Sequence, residues 1–301
     1  MSAAAKSLAA LGENGLLHLL TARWKTDPEQ VLTGVGDDCA VLRGDVKNHF
    51  LLFKTDAVVE GVHFTPPEKP ELIGRKALAR ALSDLAAMGA SPLAAVITLG
   101  VPKSESVTRL RAIYRGIERL AKKYRINLVG GETTCAQQLF LNVALLGECR
   151  GYRPVLRSGA KAGDLLFVTG QLGATRARRH LIFEPRLPEG QWLARHKLAS
   201  ALMDLSDGLG ADLPRLARAS GLSFQLDFGA IPRAKGATLK AAINDGEDYE
   251  LLFTVKPADA KTLKKKWPFA TPVHCIGVMG ARGRQSRKSS FVYGFDHFKQ
   301  R

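Results

Sequence analysis

The chain is short of acid, with 28 Asp and Glu against 44 Lys and Arg and a formal charge of +16 over 301 residues. It is also short of cysteine. Cys39, Cys135, Cys149 and Cys275 lie far apart with no C-x-x-C pair, which argues against a zinc site and reads as free cytosolic thiols. The longest apolar stretch, PLAAVITLGVP (92–102), falls far below the ~20 residues of a bilayer span. Only Lys6 precedes the first small-residue stretch, so no secretory core is expected and a cytoplasmic location is. The Walker pattern G-x-x-x-x-G-K-[ST] is missing. So are helix-turn-helix, zinc-finger and ribonucleoprotein motifs. The basic clusters RARRH (176–180), KTLKKK (261–266) and RGRQSRK (282–288) therefore read as solvated faces around a site for polyanionic small molecules. Nucleic acid is not expected as a partner, nor is a membrane.

With 46% hydrophobic and 24% charged residues, the chain is globular and long enough for two cores. A short helix is expected within 1–23, and a buried strand at HFLLFKTDAVV (49–59). ELIGRKALARALSDLAAMG (71–89) carries one apolar arc at helical spacing. A strand at 93–101, a helix at 107–124 and strands at 126–132 and 139–149 follow. The polar GYRPVLRSGAKAGD (151–164) reads as a domain connection. Beyond it come a strand at 165–170, a short basic helical stretch, then segments at 201–207, 213–221, 223–228 and 249–255. The expected fold class is α+β in two domains, 1–150 and 151–301, with each sheet packed on one face by helices.

The few acids are concentrated. GVGDD (34–38), KTD (54–56), LSD (82–84), GGET (130–133) and MDLSDG (203–208) place carboxylates in five separated, glycine-marked contexts. Solubility alone does not ask this of a basic chain. Hard oxygen ligands gathered from distant segments suit Mg²⁺, held by a few carboxylates and substrate phosphates. At ~100° per residue Asp84 falls inside the apolar arc of its helix, where a carboxylate is costly unless paired or metal-bound. Asp204 and Asp207 flank Ser206 ahead of a helix, where amides can hold an anion. GGET offers amides for phosphate, and Arg157 and Lys161 lie in a turn that could fork onto it. DGEDYE (245–250) packs four acids into six positions, which a solvated charged turn would explain as well. His63 on its own reads as structural. A metal-dependent phosphate enzyme is the leading expectation.

The ordered series GVGDDCAVL, KTDAVVEGVHF, ALSDLAAMGASP, LVGGETT, RSGAKAGDLLFVTGQLG, MDLSDGL and GEDYELLFTV, with GFDHF near the end, resembles the thiamine-monophosphate kinase family. That family lies in the superfamily of aminoimidazole ribonucleotide synthetase. The resemblance spans residues ~10–298 and implies transfer of the ATP γ-phosphoryl group onto thiamine monophosphate, with Mg²⁺, in a homodimer whose N-terminal sheets pair. It implies metal ligation by Asp38, Thr55, Asp56, Asp84, Glu132, Asp204 and Asp207. It implies ATP contacts from Tyr114, Gly131, Glu132, Arg157 and Ser206, and substrate contacts from His63 and Glu247. It also implies an aromatic closing over the substrate rings, with Tyr293 chosen here and Phe291 and Phe295 competing. No side chain is expected to act as a covalent or acid–base catalyst; positioning and metal charge suffice.

Four positions depart from the family pattern, and the segment between TGQLG and MDLSDGL is short for it; Asp245 stands where a second glycine is typical. Lys54 stands where Ser or Thr is usual, and there a cation could displace one Mg²⁺. Glu132 replaces the usual Asp. Pro214 falls in a stretch that is usually helical, so the helix is expected to begin there. Two rival readings follow: another ATP-using enzyme of the superfamily with a different acceptor, and a non-catalytic nucleotide binder with a basic nucleic-acid surface.

Overall fold

The structure is a computed structural model that describes residues 7–175 and 179–281. Helix α1 (Leu8–Thr21) leads into the short strands β1 (Val31–Thr33) and β2 (Ala40–Arg43), followed by the long β3 (His49–Val59). Helix α2 (Pro70–Ala87), β4 (Ser91–Val101), α3 (Val107–Tyr124), β5 (Asn127–Cys135) and β6 (Phe140–Arg150) complete the first half. Its six strands form one sheet in the order β1-β2-β3-β6-β4-β5. Only β4 and β5 run parallel, and α3 supplies the crossover that a parallel pair needs.

The long strands alternate as their sequences do. On β6, Leu141, Val143 and Leu145 are buried beneath the helices. Phe140, Asn142, Ala144 and Leu146 point the other way and are half-buried. Helix α2 starts on Pro70, which fixes φ for the first turn without needing a donor. It packs on α3 with little room between them: a Cβ on Gly116 would lie 1.9 Å from the Glu71 carbonyl oxygen.

The expected single apolar arc of α2 proves to be burial on nearly every side from Ile73 to Ala87. The first sheet covers one side, and α5 (Leu187–Arg195) and β8 (Ala201–Asp204) from the second half cover the other. Lys76, Arg80 and Asp84 lie at four-residue spacing, so they form one polar stripe along this enclosed helix.

The second half builds an antiparallel sheet from β7 (Leu165–Thr169), β8, β9 (Ser223–Leu226), β10 (Leu251–Val255) and β11 (Val273–Gly280), in the order β8-β10-β7-β11-β9. The remaining helices are α4 (His180–Ile182), α6 (Leu209–Ala219), α7 (Leu239–Asn244) and α8 (Pro257–Lys266). The sequence reading named neither α7 nor β11, the first too short for a helical period and the second interrupted by glycine. Of the expected basic helical stretch at 176–180, residues 176–178 lie outside the described residues.

One expectation is corrected. Helix α6 begins at Leu209 and carries Pro214 in its interior. Leu209, Leu213, Leu216 and Ala217 form a buried stripe, and the buried Asp212 carboxylate accepts the backbone N–H of Asp207 at the helix start. Burying three leucines at about 1.5–3 kcal/mol each outweighs the proline's cost of about 3 kcal/mol.

Candidate active site

Three buried carboxylates meet at the seam between the two sheets. Asp38 precedes β2, Asp84 lies on α2 and Asp204 ends β8, and a carboxylate oxygen of each lies within 4.8 Å of the others. Their partners are two cations and one hydroxyl. Arg157 forks onto Asp38, Nη2 donating to Oδ1 at 2.5 Å and Nε to Oδ2 at 3.2 Å. Lys54 Nζ stands 3.1 Å from Asp84 Oδ2, and the Ser83 hydroxyl donates to Asp204 Oδ2 at 2.6 Å.

Crowding shows in the acidities. Burial, then the Asp38 charge, pushes the Asp204 carboxyl up to about 7. Burial also drives Asp84 well above the carboxylate range; Lys54 opposes this, while Asp204 and Asp56 add to it. Asp37, whose carboxylate accepts from the Arg157 backbone N–H, rises to about 6 through burial and its neighbour Asp38. Such a set of hard oxygen donors, short of positive charge, fits a divalent cation of the Mg²⁺ type.

Along α2 the polar stripe continues away from the three acids. Arg80 Nη2 pairs with Asp56 Oδ1 at 3.1 Å. One turn further back, Lys76 pairs with Glu247 Oε1 at 2.5 Å. Glu247 belongs to a loop stitched to the MDLSDG segment: its N–H donates to Ser206 O at 2.7 Å, and that of Tyr249 to Leu205 O at 2.8 Å. Both Glu247 and Tyr249 hold positive φ, +56° and +51°, a backbone strain that concentrates at working sites.

The sequence candidates divide accordingly. Asp38, Asp84 and Asp204 converge, with Arg157 on their rim. Asp56 points to the same sheet face as Lys54 but is held by Arg80. Thr55 points to the opposite face, where its hydroxyl donates to Asn142 Oδ1 at 2.8 Å, so it does not join the three acids. Asp207 is held by Arg215, which also binds Asp212 at 2.7 Å. Gly131 and Glu132 lie on the exposed edge strand β5. Gly131 also has a packing reason to be glycine, since a Cβ there would come within 1.8 Å of the Ile97 carbonyl oxygen. Tyr114 on α3 packs against the first core. His63 accepts the Val59 N–H at its Nδ1, 3.1 Å away. Tyr293 lies outside the described residues.

Sequence reasoning missed Ser83, Arg80 and Lys76. For Arg80 and Lys76 the signal that could have found them was the four-residue spacing of charge inside an otherwise apolar helix; Ser83 carried none.

Models of the AIR synthase related protein, N-terminal domain and C-terminal domain, match residues 36–149 and 160–288. The thiamine-monophosphate kinase of Rhodopirellula baltica is 35% identical, covering 95% of this chain and 97% of its own. This chain belongs to the AIR synthase related family, on its thiamine-monophosphate kinase branch. The corresponding protein of Salmonella typhimurium is 35% identical, over 96% of this chain and 99% of its own.

Solved structures agree with that placement. AaThiL complexed with AMPPCP and TMP covers 98% of this chain and 100% of its own, at 30% identity and a TM-score of 0.85. The thiamine-monophosphate kinase from Stenotrophomonas maltophilia covers 85% of this chain and 90% of its own, at 31% identity and a TM-score of 0.72. The family's two-part organisation thus accounts for the two sheets, with the acidic cluster drawn from both.

Proposed function

We propose that this chain transfers the γ-phosphoryl group of ATP onto thiamine monophosphate, giving thiamine diphosphate and ADP. The observation that carries the reading is the buried meeting of Asp38, Asp84 and Asp204, rimmed by Lys54 and Arg157. Relatives named thiamine-monophosphate kinase along nearly the whole chain support the acceptor and the donor. So does a neighbour that holds an ATP analogue and TMP.

The chemistry asks little of side chains as acids or bases. An oxygen of the acceptor's phosphate forms the new bond to the γ-phosphorus, and the bond to the β,γ-bridging oxygen breaks, leaving ADP. A phosphate monoester loses its second proton near pH ~6, so the attacking oxygen needs no base at neutral pH. What must be supplied is alignment and offset of charge between two anions. Asp38, Asp84 and Asp204 would hold Mg²⁺, which when bound neutralises the phosphate oxygens. Arg157 would fork onto phosphate, with Tyr114, Gly131, Glu132 and Ser206 as further ATP contacts. Asp56, Thr55 and Asp207 stand outside the three acids and would act, if on metal, at a second ion. His63 and Glu247 would meet the thiamine part.

The same reading assigns residues 1–150 to ATP, metal and dimer contacts and 151–301 to the remainder of the cleft. The outer face of the first sheet supports a second copy of the chain as its cover. Thr55, Ala144 and Val96 lie side by side across β3, β6 and β4, with Phe53, Leu146 and Ala94 in the next row. Phe53 is 50% exposed and Val96 38%. Among the described residues no helix is long and apolar enough to cross a membrane, and a cytoplasmic location belongs to this proposal.

The test is incubation of the purified chain with ATP, Mg²⁺ and thiamine monophosphate, with thiamine diphosphate followed by chromatography. Product equal to ADP formed is expected. ATP binding without product would overturn the reading in favour of another acceptor or a non-catalytic protein.

A further inference from the structure

Lys76 heads the largest side chains that are completely buried among the described residues. A charged ammonium costs several kcal/mol to bury unless its donors are satisfied and its charge is met. Here Nζ has three acceptors: Glu247 Oε1 at 2.5 Å, His63 O at 2.6 Å and His180 Nδ1 at 2.7 Å. An ammonium carries three N–H donors, and each finds one acceptor. Because Nζ donates to it, Nδ1 of His180 is the unprotonated ring nitrogen. Its proton then lies on Nε2, which faces Glu68 Oε1 at 3.8 Å.

These acceptors come from three separated parts of the chain. His63 belongs to the turn after β3, and that turn is closed by the His63 N–H donating to Val59 O at 2.9 Å. His180 opens α4, and Glu247 lies on the strained loop tied to Ser206. The Glu247 side chain remains 34% exposed while Lys76 is 1% exposed. The lysine therefore grips Oε1 from the protein side, Oε2 lies 3.5 Å from His180 Nδ1, and about a third of the side chain stays exposed.

We propose that Lys76 is a positioning residue for the acceptor: it locks Glu247 and the His63 turn in the orientation that receives the thiamine part. This rests on the thiamine-monophosphate reading above. The pairing also has an electrostatic consequence. A bare carboxylate attracts the thiazolium cation but repels the phosphate attached to it. With Lys76 on Oε1 the pair is neutral overall, and Glu247 keeps a directed acceptor for a ring cation or amino group without a net negative field. Lys76 does not touch ATP in this arrangement, because the acidic cluster lies two helical turns further along α2.

The experiment uses the full chain as wild type, Lys76→Met, His180→Leu and His180→Asn. KM for thiamine monophosphate, KM for ATP, kcat and Tm are measured for each, and thiamine monophosphate binding is read by calorimetry. Lys76→Met is expected to raise KM for thiamine monophosphate about ten-fold or more while KM for ATP stays within about two-fold. His180→Leu removes one acceptor of the lysine, a ring whose Nδ1 also lies 3.5 Å from Glu247 Oε2, and it should move the same constant in the same direction. His180→Asn places an amide oxygen near the position of Nδ1 and should restore it.

If Lys76→Met does not fold, the two His180 variants decide. A purely structural brace would lower Tm and kcat and move both KM values together, and that pattern overturns the proposal. So do variants with an unchanged KM for thiamine monophosphate beside an active wild type. A wild type that binds no thiamine monophosphate overturns the reading of the reaction as well, so the two failures are distinguishable.

Discussion

The Ser83 hydroxyl donates to Asp204 Oδ2 at 2.6 Å, and this bond joins α2 of the first half to the last residue of β8 in the second. Asp84 follows Ser83 directly, so one helical turn delivers both a ligand candidate and the group that orients another. Neither half holds the three acids alone. Asp38 and Asp84 come from the first and Asp204 from the second, and their meeting depends on β8 and α5 packing on α2. Docking of the two halves therefore assembles the acidic cluster.

Asp84→Asn and Asp204→Asn should each lower kcat by about a hundredfold or more, the scale of losing one preorganised electrostatic group. Both keep side-chain volume. Asp204→Asn removes a like charge from a buried cluster, so its Tm without metal should hold or rise, whereas Asp84→Asn leaves the Lys54 ammonium without its carboxylate and should lower Tm. Turnover assays beside thermal melts check this. Near-wild-type rates in both variants would sink the metal assignment.

Stability should depend on pH with an unusual sign. The folded-state acidity of Asp204 lies near 7, above its ordinary 3.8, because burial and Asp38 disfavour the charge. Asp37 lies near 6 for the same kind of reason. The folded chain thus binds more protons than the unfolded one between those values. The contribution of these groups is complete below about pH 4 and is lost as pH rises towards 7. In chelator, the fall in Tm from pH 5 to pH 8 should be steeper for the wild type than for Asp204→Asn. Mg²⁺ should restore more stability at pH 8 than at pH 5. Equal slopes for the two proteins would remove this account.

The sequence was legible where one rule governs a segment. Apolar runs placed β3 and β6 within a residue, and the apolar arc at helical spacing placed α2 within two. The motif order pointed to the family before any geometry was known. Asp84 was legible because a carboxylate inside an apolar arc demands a reason. Lys76 was not, because a lysine near the start of a helix looks solvated until a second domain covers it. Thr55 and Asp207 were placed with the metal ligands by motif position. Strand alternation sends Thr55 to the other face, and Arg215 holds Asp207. The start of α6 was misjudged because proline's local cost was weighed without the leucine stripe that outweighs it.

Phe53→Glu should abolish the proposed pairing of two copies through the first sheet. Phe53 stands half-exposed in the apolar rows of the outer sheet face, and a carboxylate there would be buried without a partner in a paired-sheet interface. Light scattering coupled to gel filtration reads the mass. Because Phe53 points away from Lys54 and the acidic cluster, the fold of the monomer should be retained. An unchanged mass would show that this face is not where copies meet.

Lys54→Thr should tighten divalent-ion binding. The ammonium stands 3.1 Å from Asp84 Oδ2. Burial alone would lower its pKa, but Asp84 and Asp56 hold it above the usual lysine range. It therefore stays charged across the working pH and competes with any metal ion for the same carboxylate. Two unit charges ~4 Å apart in a partly buried site interact by on the order of 4 kcal/mol. Relief of even a third of that gives about ten-fold in affinity. Mn²⁺ titration followed by electron paramagnetic resonance, without nucleotide, measures it directly. Tighter binding, or one more bound ion, would mean that Lys54 already serves as a cation in this cluster. Weaker binding would mean that the lysine organises Asp84 for the metal rather than competing with it.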